Sequence, residues 1–401
     1  MKTDDVVAPF NMKTERTAAG FAPRLWDFAF EHLLALPAGV LIALAWANVA
    51  PETYYRATYP VAFAVNDVAM VFFFGWITKE VVEAGLPGGV LHSWRRAAVP
   101  IGLSGAVVLS SVVAHAAAVR VVGAPMLEQA WIASTAMDLA FGYLVARVIF
   151  GPTSGAVPFF LMVAISANAI GFGLLAQAGT FRDGWPGLAV VLMAGAIGYA
   201  VLLRTLRFTS FWPYVLGAGG LSWAALYFGG IHPALALVPI VPFLPHGRRD
   251  PGFFVDAKPN ARDTLNRFEL WCRHPAQVAL FLFGLVNGGV PLHALERGIL
   301  ALPLALIVAR PLALLAGAGV ASAFGLHLPK SVGWRELVVL GFVTSAGFTL
   351  ALFFAAATLG IGQALNETRA GALLSVSAGA LALGAAWLLG VGRFAREERN
   401  R

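Results

Sequence analysis

The sequence predicts an all-α integral membrane protein, and three observations carry that prediction. Of its 401 residues, 59% are hydrophobic and only 12% are charged. Mean hydropathy is +0.75. The apolar residues gather into long runs that are apolar on every face, such as 34–50 and 371–391. Soluble domains carry about 25% charged residues, so this chain has too little polar surface to coat a water-soluble body. A spanning helix needs about 20 mostly apolar residues, whereas barrel strands alternate over about 10. The runs here are of the first kind. The 43 glycines and 23 prolines also suit packed membrane helices, which tolerate both better than soluble helices do.

Taken in order, the apolar runs give about twelve expected spans: 31–50, 59–83, 97–118, 127–148, 157–177, 186–203, 211–227, 230–245, 275–292, 298–320, 336–358 and 369–391. The leader before the first run holds Asp4, Asp5, Glu15 and Asp27. It is too long and too acidic for a secretory signal, although Ala45-Trp46-Ala47 resembles a cleavage site. Residues 1–28 therefore read as a cytoplasmic N-terminal tail, and 29–394 as one transmembrane domain. Within it, 246–274 is rich in charge and proline and reads as a cytoplasmic connector. Residues 395–401 read as a cytoplasmic C-terminal tail.

Charge sets the orientation. With both termini cytoplasmic, 22 of the 28 Lys and Arg residues fall on the inside and five (Arg56, Arg120, Arg182, Arg297, Arg369) on the outside, with Arg310 inside a span. That is the positive-inside pattern. The net charge of +7 is thus a topological signal, and nucleic acid is not an expected partner. No nucleophile–base pair, phosphate-binding glycine loop or metal-ligand spacing is present, so neither an enzyme nor a cofactor is expected. Cys272 is the single cysteine, which excludes an internal disulfide, and it reads as a loop thiol.

Ionisable groups at the centre of a span cost about 2.5–3.5 kcal/mol or more, so each needs an explanation. Asp67 lies in Val65-Asn66-Asp67, Asp138 in Met137-Asp138-Leu139 and Arg310 in Ala309-Arg310-Pro311; Asn168 adds an uncharged polar group. Asp67 either lines a water-filled funnel or caps a helix. Small polar residues interrupt 134–142 and 344–349, in the fourth and eleventh expected spans. Paired interruptions of this kind point to a midplane site built from broken helices. An aspartate there would offset free helix N-termini and a guanidinium free C-termini. His232 reads as a helix-end hydrogen-bonding group, and His115 as an interfacial one.

These residues resemble the NhaA-type sodium/proton antiporter family, from about Trp26 to Phe394. The markers run in family order: Val65-Asn66-Asp67, Val71-Phe72-Phe73, Met137-Asp138-Leu139-Ala140-Phe141, Gly230-Ile231-His232-Pro233, Arg267-Phe268-Glu269, Ala309-Arg310-Pro311-Leu312 and Ala346-Gly347-Phe348-Thr349. The resemblance implies inverted repeats with broken helices in spans 4 and 11, exchanging Na+ or Li+ for H+ across a bacterial inner membrane. It also implies roles for particular residues. Asp138 matches the aspartate at the unwound centre of the fourth span, with Met137, Ala346 and Gly347 supplying broken-helix backbone. Arg310 matches a lysine opposite the ion-binding aspartates, and Asp67 a carboxylate of the ion funnel. Glu269, with Glu80 and Glu83, falls where the family places its pH response.

One departure outweighs these matches. The family's fifth span carries two adjacent aspartates that bind sodium and exchange protons; here the positions read Asn168-Ala169. Asn168 offers a carbonyl oxygen but cannot titrate. Arg310 has lost its expected acidic partner and should find Asp138, a carbonyl, water or an anionic solute. Lys79 stands where the family has a glutamate. The segment Pro51–Tyr59 is too short for the hairpin some members use to dimerise, so a homodimer would need another surface. Three readings follow: cation/proton antiport at a rebuilt site, transport of an anionic or neutral solute on the same fold, or a non-transporting sensor or scaffold.

Overall fold

The computed structural model describes residues 35–84, 94–151, 154–178, 185–246, 263–326, 328–329 and 331–395. The expected N-terminal tail, the C-terminal tail beyond Ala395 and most of the expected 246–274 connector lie outside the described residues. Helix α1 (Ala35–Val49) and the short α2 (Pro51–Thr58) lead to a π-turn at Ala64–Ala69, which continues as α3 (Met70–Ala84). The long α4 (Trp94–Val122) is followed by a half-helix of 3-10 geometry, Pro125–Thr135, and then by α5 (Leu139–Phe150). Next come α6 (Ala156–Ala178), α7 (Pro186–Thr205), a π-turn at Pro213–Ala218 and α8 (Gly219–Phe228). The last part holds α9 (Thr264–Asn287), α10 (Ala301–Ala323), α11 (Trp334–Thr344), α12 (Phe348–Thr358), α13 (Gln363–Leu374) and α14 (Ser377–Leu389).

The fold is all-helical, but the expected count of twelve spans is wrong. Five described helical segments are long and apolar enough to cross a membrane: Ala98–Val122, Ala156–Gln177, Pro186–Thr205, Arg297–Ala323 and Gln363–Phe394. Counting each of two bent pairs as one span gives at most seven. The reasons are local. Run 230–245 contains Pro233, Pro239, Pro242 and Pro245, each lacking a backbone donor, and it folds into turns with short 3-10 pieces at Pro233–Leu235 and Val241–Phe243. Runs 59–83 and 211–227 pass through π-turns, leaving α-helices of 15 and 10 residues. Helix α9 starts inside the expected connector, so its first turns carry Arg267, Glu269 and Arg273. Cys272 is accordingly a buried helical thiol, donating to the Phe72 carbonyl at 3.2 Å, and not a loop residue.

Apolar side chains cover the outside as well as the inside. On α7, Val190 and Val191 are 68% and 67% exposed, as expected of a helix solvated by lipid. Buried apolar residues form two main clusters. The first half-helix contributes Ile132 and Ala133 to one, joined by Ala136 at its end, while Met137, Leu139 and Val145 belong to the other. The second bent pair changes sides in the opposite sense: Val339 and Val343 of α11 sit in the second cluster, Phe348 and Leu350 of α12 in the first.

Close backbone approach fixes α11 beside α10. A Cβ on Gly341 would collide with the Pro311 backbone, and Ser345 Oγ donates to the Leu306 carbonyl at 2.9 Å. Gly341→Ala is therefore expected to cost about 1–3 kcal/mol through overpacking, read as a lowered thermal midpoint in detergent. Gly102→Ala on α4, where a Cβ meets nothing within 4 Å, is the control and should leave the midpoint unchanged or slightly higher.

Candidate functional site: a crossing of two broken helices

The two bent pairs cross at their breaks. Pro125–Thr135 and Leu139–Phe150 meet at 62°, and Trp334–Thr344 and Phe348–Thr358 at 44°. Ala136 and Asp138 are extended (ψ 135° and 111°), which ends the helical hydrogen bonding there. The Asp138 N–H donates to the Ala346 carbonyl at 2.8 Å, tying the breaks together. Every such break leaves orphan N–H and C=O groups, and within a bilayer those groups must find protein partners.

Asp138 serves the two N-terminal ends. Its Oδ1 accepts from the Phe141 N–H at 2.8 Å, as the N-cap of α5. Its Oδ2 accepts from the Thr349 N–H at 2.8 Å in the first turn of α12, and from the Thr349 hydroxyl. Arg310, fully buried, serves the two C-terminal ends. Nη2 donates to the Ser134 and Ala136 carbonyls at 2.9 and 2.6 Å, and Nη1 to the Thr344 carbonyl. Nε reaches Ser111 Oγ at 3.2 Å. Anions favour helix N-termini and cations C-termini, and this pair obeys that rule at four ends. Arg310 thus engages carbonyls rather than Asp138.

Asn168 on α6 binds the unwound backbone. Its Oδ1 accepts from the Met137 N–H and its Nδ2 donates to the Met137 carbonyl, both at 2.9 Å. An amide can do this because it carries a donor and an acceptor side by side. An ionised carboxylate has only acceptors.

A second cluster surrounds Lys79 on α3, itself only 1% exposed. Its Nζ lies 2.7 Å from Glu83, 2.6 Å from Glu269 and 3.5 Å from Glu80. Lys79 is therefore the centre that gathers Glu80, Glu83 and Glu269. A cavity of about 70 Å³ touches both regions: Asp138, Thr349 and Glu80 line it among apolar side chains such as Trp76 and Leu280. Space of that size accommodates a few waters or a partly hydrated ion.

The expected site residues are thus only partly brought together. Asp138, Met137, Asn168, Ala346 and Arg310 meet at the crossing, with Gly347, whose N–H donates to Ser375 Oγ at 3.1 Å, beside them. Asp67 does not line the cavity; it sits in the π-turn, where its backbone carbonyl accepts from Trp223 Nε1 at 2.8 Å. His232 caps the turn at Pro233–Leu235 through Nδ1. His115 is buried, not interfacial: its ring Nε2 lies 2.9 Å from the Leu127 carbonyl. Thr349 and Ser111 were not among the expected site residues. Thr349 had a signal, a hydroxyl just after a Gly break; Ser111, mid-helix in an apolar run, had none.

A helical membrane body in which two broken helices cross, with one buried acid and one buried cation at their ends, has the construction of a secondary transporter. The profile of the Na+/H+ antiporter 1 family matches residues 30–388. The Na(+)/H(+) antiporter NhaA of Desulfitobacterium hafniense is 34% identical over 377 residues, covering 91% of this chain and 96% of its own. That of Geobacter sulfurreducens is 36% identical over 367 residues, covering 89% and 96%. Among solved structures, the sodium proton antiporter MjNhaP1 from Methanocaldococcus jannaschii at pH 8 superposes with a TM-score of 0.57, covering 92% of this chain and 96% of that one at 16% identity. The chain belongs to the Na+/H+ antiporter 1 family. It is a multi-pass membrane protein of cation/proton exchangers, and not an enzyme.

The Asn168 clamp yields a direct test. Asn168→Ala orphans two buried backbone groups of Met137, each worth about 1–3 kcal/mol. The variant is expected to unfold at a clearly lower temperature in detergent, and a parent-like melt would show that the clamp contributes little.

Proposed function

We propose that this protein exchanges sodium or lithium for protons across the bacterial inner membrane, using a site rebuilt around Asp138. The observation that carries this reading is the cavity at the crossing, into which Asp138 and Thr349 face together. Turning the Thr349 hydroxyl proton away from Asp138 Oδ2 presents two oxygens to a cation, and hard cations take oxygen ligands. A proton and a cation then compete for one carboxylate. Met137, Ala346 and Gly347 shape the unwound backbone around it. Arg310 provides fixed positive charge beside the site, and Asn168 holds the strand in place rather than titrating. Asp67 belongs to the approach.

The Lys79 cluster is the regulatory part of the same reading: Glu80 lines the cavity while Glu83 and Glu269 face Lys79, so their charge state bears on access to Asp138. Both termini are cytoplasmic, an orientation supported by Arg393, Arg396, Arg399 and Arg401 after the last apolar run under the positive-inside rule.

The test is proton flux in proteoliposomes with sodium, lithium and potassium supplied in turn. The parent is expected to give a sodium- or lithium-dependent signal. Asp138→Asn, which keeps one acceptor for the Phe141 N–H and turns an NH2 toward the Thr349 N–H, should remove that signal, with a lowered thermal midpoint but a folded protein. Unchanged flux in this variant would remove Asp138 from the exchange. A flat parent trace with folded, inserted protein would move the search to another solute.

A further inference from the structure

Glu367 on α13 has no part in the site described so far, yet it is fully buried. Its Oε1 accepts from the Glu296 N–H at 3.3 Å and from Gln363 Nε2 at 3.2 Å. Its Oε2 is buried and accepts no hydrogen bond. That oxygen lies against Gly298, where any Cβ would collide with it. Gly298 in turn floors a pocket of about 500 Å³ whose wall includes Glu296, Arg297 and Gln363, all exposed. The buried oxygen is therefore one backbone layer from a solvent-facing hollow.

We propose that Glu367 is a proton-binding carboxyl that serves the exchange, loaded through the pocket walled by Glu296, Arg297 and Gln363. The proposal rests on the antiport reading for its role, and on geometry for the site. A buried carboxylate oxygen with no donor is costly in a membrane protein, and a proton is the smallest group that relieves it. Nearby charges do not take that part. Arg369 donates to Asn287 Oδ1 at 2.7 Å, and Arg310 to the carbonyls of the crossing. Of the other elements packed on α13, α12 carries no charge, the Pro125–Thr135 half-helix carries only the exposed Glu128, and the turn at Arg297–Leu300 carries the exposed Arg297, with exposed Glu296 just before it. The step is simple: hydronium in the pocket gives its proton to Oε2, an O–H bond forms there as one of its own breaks, and water is left behind; the proton returns to water the same way. Such a group supplies a titrating acid that Asn168-Ala169 cannot.

Two measurements decide it. Dicyclohexylcarbodiimide adds the O–H of a buried protonated carboxyl across its C=N bond, and mass spectrometry locates the product. In the intact protein Glu367 should be labelled, and labelling should fall as pH rises. In proteoliposomes, Glu367→Gln, which keeps the Oε1 acceptor, should lose the cation-driven proton flux. Absence of pH-dependent labelling overturns the proposal, and so does parent-like flux in Glu367→Gln. If the parent itself shows no cation-driven flux, the antiport reading falls. Labelling then decides the carboxyl alone: pH-dependent modification sustains it as a proton-binding site, and none overturns it.

Discussion

Everything at the centre of this molecule follows from one requirement: a helix broken inside a bilayer must have its free ends satisfied by the protein. Two breaks make four ends, and two side chains serve them. Arg310 gathers carbonyls from Ser134, Ala136 and Thr344, and Asp138 receives donors from Phe141 and Thr349. Arginine suits the first task because its planar fork offers five donors to acceptors in different directions, which a lysine ammonium cannot match. Neither charge could be buried alone, since each is stabilised by backbone dipoles that themselves lack other partners. Small residues then let the pieces approach: Gly341 meets Pro311, and the Asp138 N–H meets the Ala346 carbonyl.

At 168 the amide satisfies both a donor and an acceptor of Met137, so the unwound segment is held by a neutral group. Charge is concentrated elsewhere, with a buried lysine at 79 holding three carboxylates. The polar interior is thus divided between a crossing that is dense in hydrogen bonds and an ionic cluster, with a small cavity touching both.

How much of this was legible in the sequence depended on range. Membrane class and helical build followed from composition. The breaks were visible because Ser134–Gly142 and Thr344–Thr349 put small polar residues inside apolar runs, and Asp138 and Arg310 stood out as charges there. The span count was not legible: apolar runs at 59–83 and 211–227 look like the others in hydropathy, while six residues of each wind as π-helix and leave α-helices of 15 and 10 residues. Partners were hidden for a different reason. Arg310 finds Ser111 across 199 residues and Ser134 across 176, and nothing local in an Ala-rich or Val-rich run announces such contacts. Glu367 lay just outside the expected last span, where a carboxylate reads as solvent-exposed; only the fold buries it.

The division of the apolar interior has a mechanical consequence. The chain passes from one cluster to the other between Ala136 and Met137, and back in the opposite sense across Ser345–Gly347. If one apolar body slid relative to its neighbour, both crossovers would feel the displacement, each pulled in the reverse direction. The two breaks, held by Asp138 and Arg310, would then act as a pair of opposed bearings, and the Asn168–Met137 clamp would keep α6 with the second body, whose cluster holds Met137 and most of the buried apolar residues of α6.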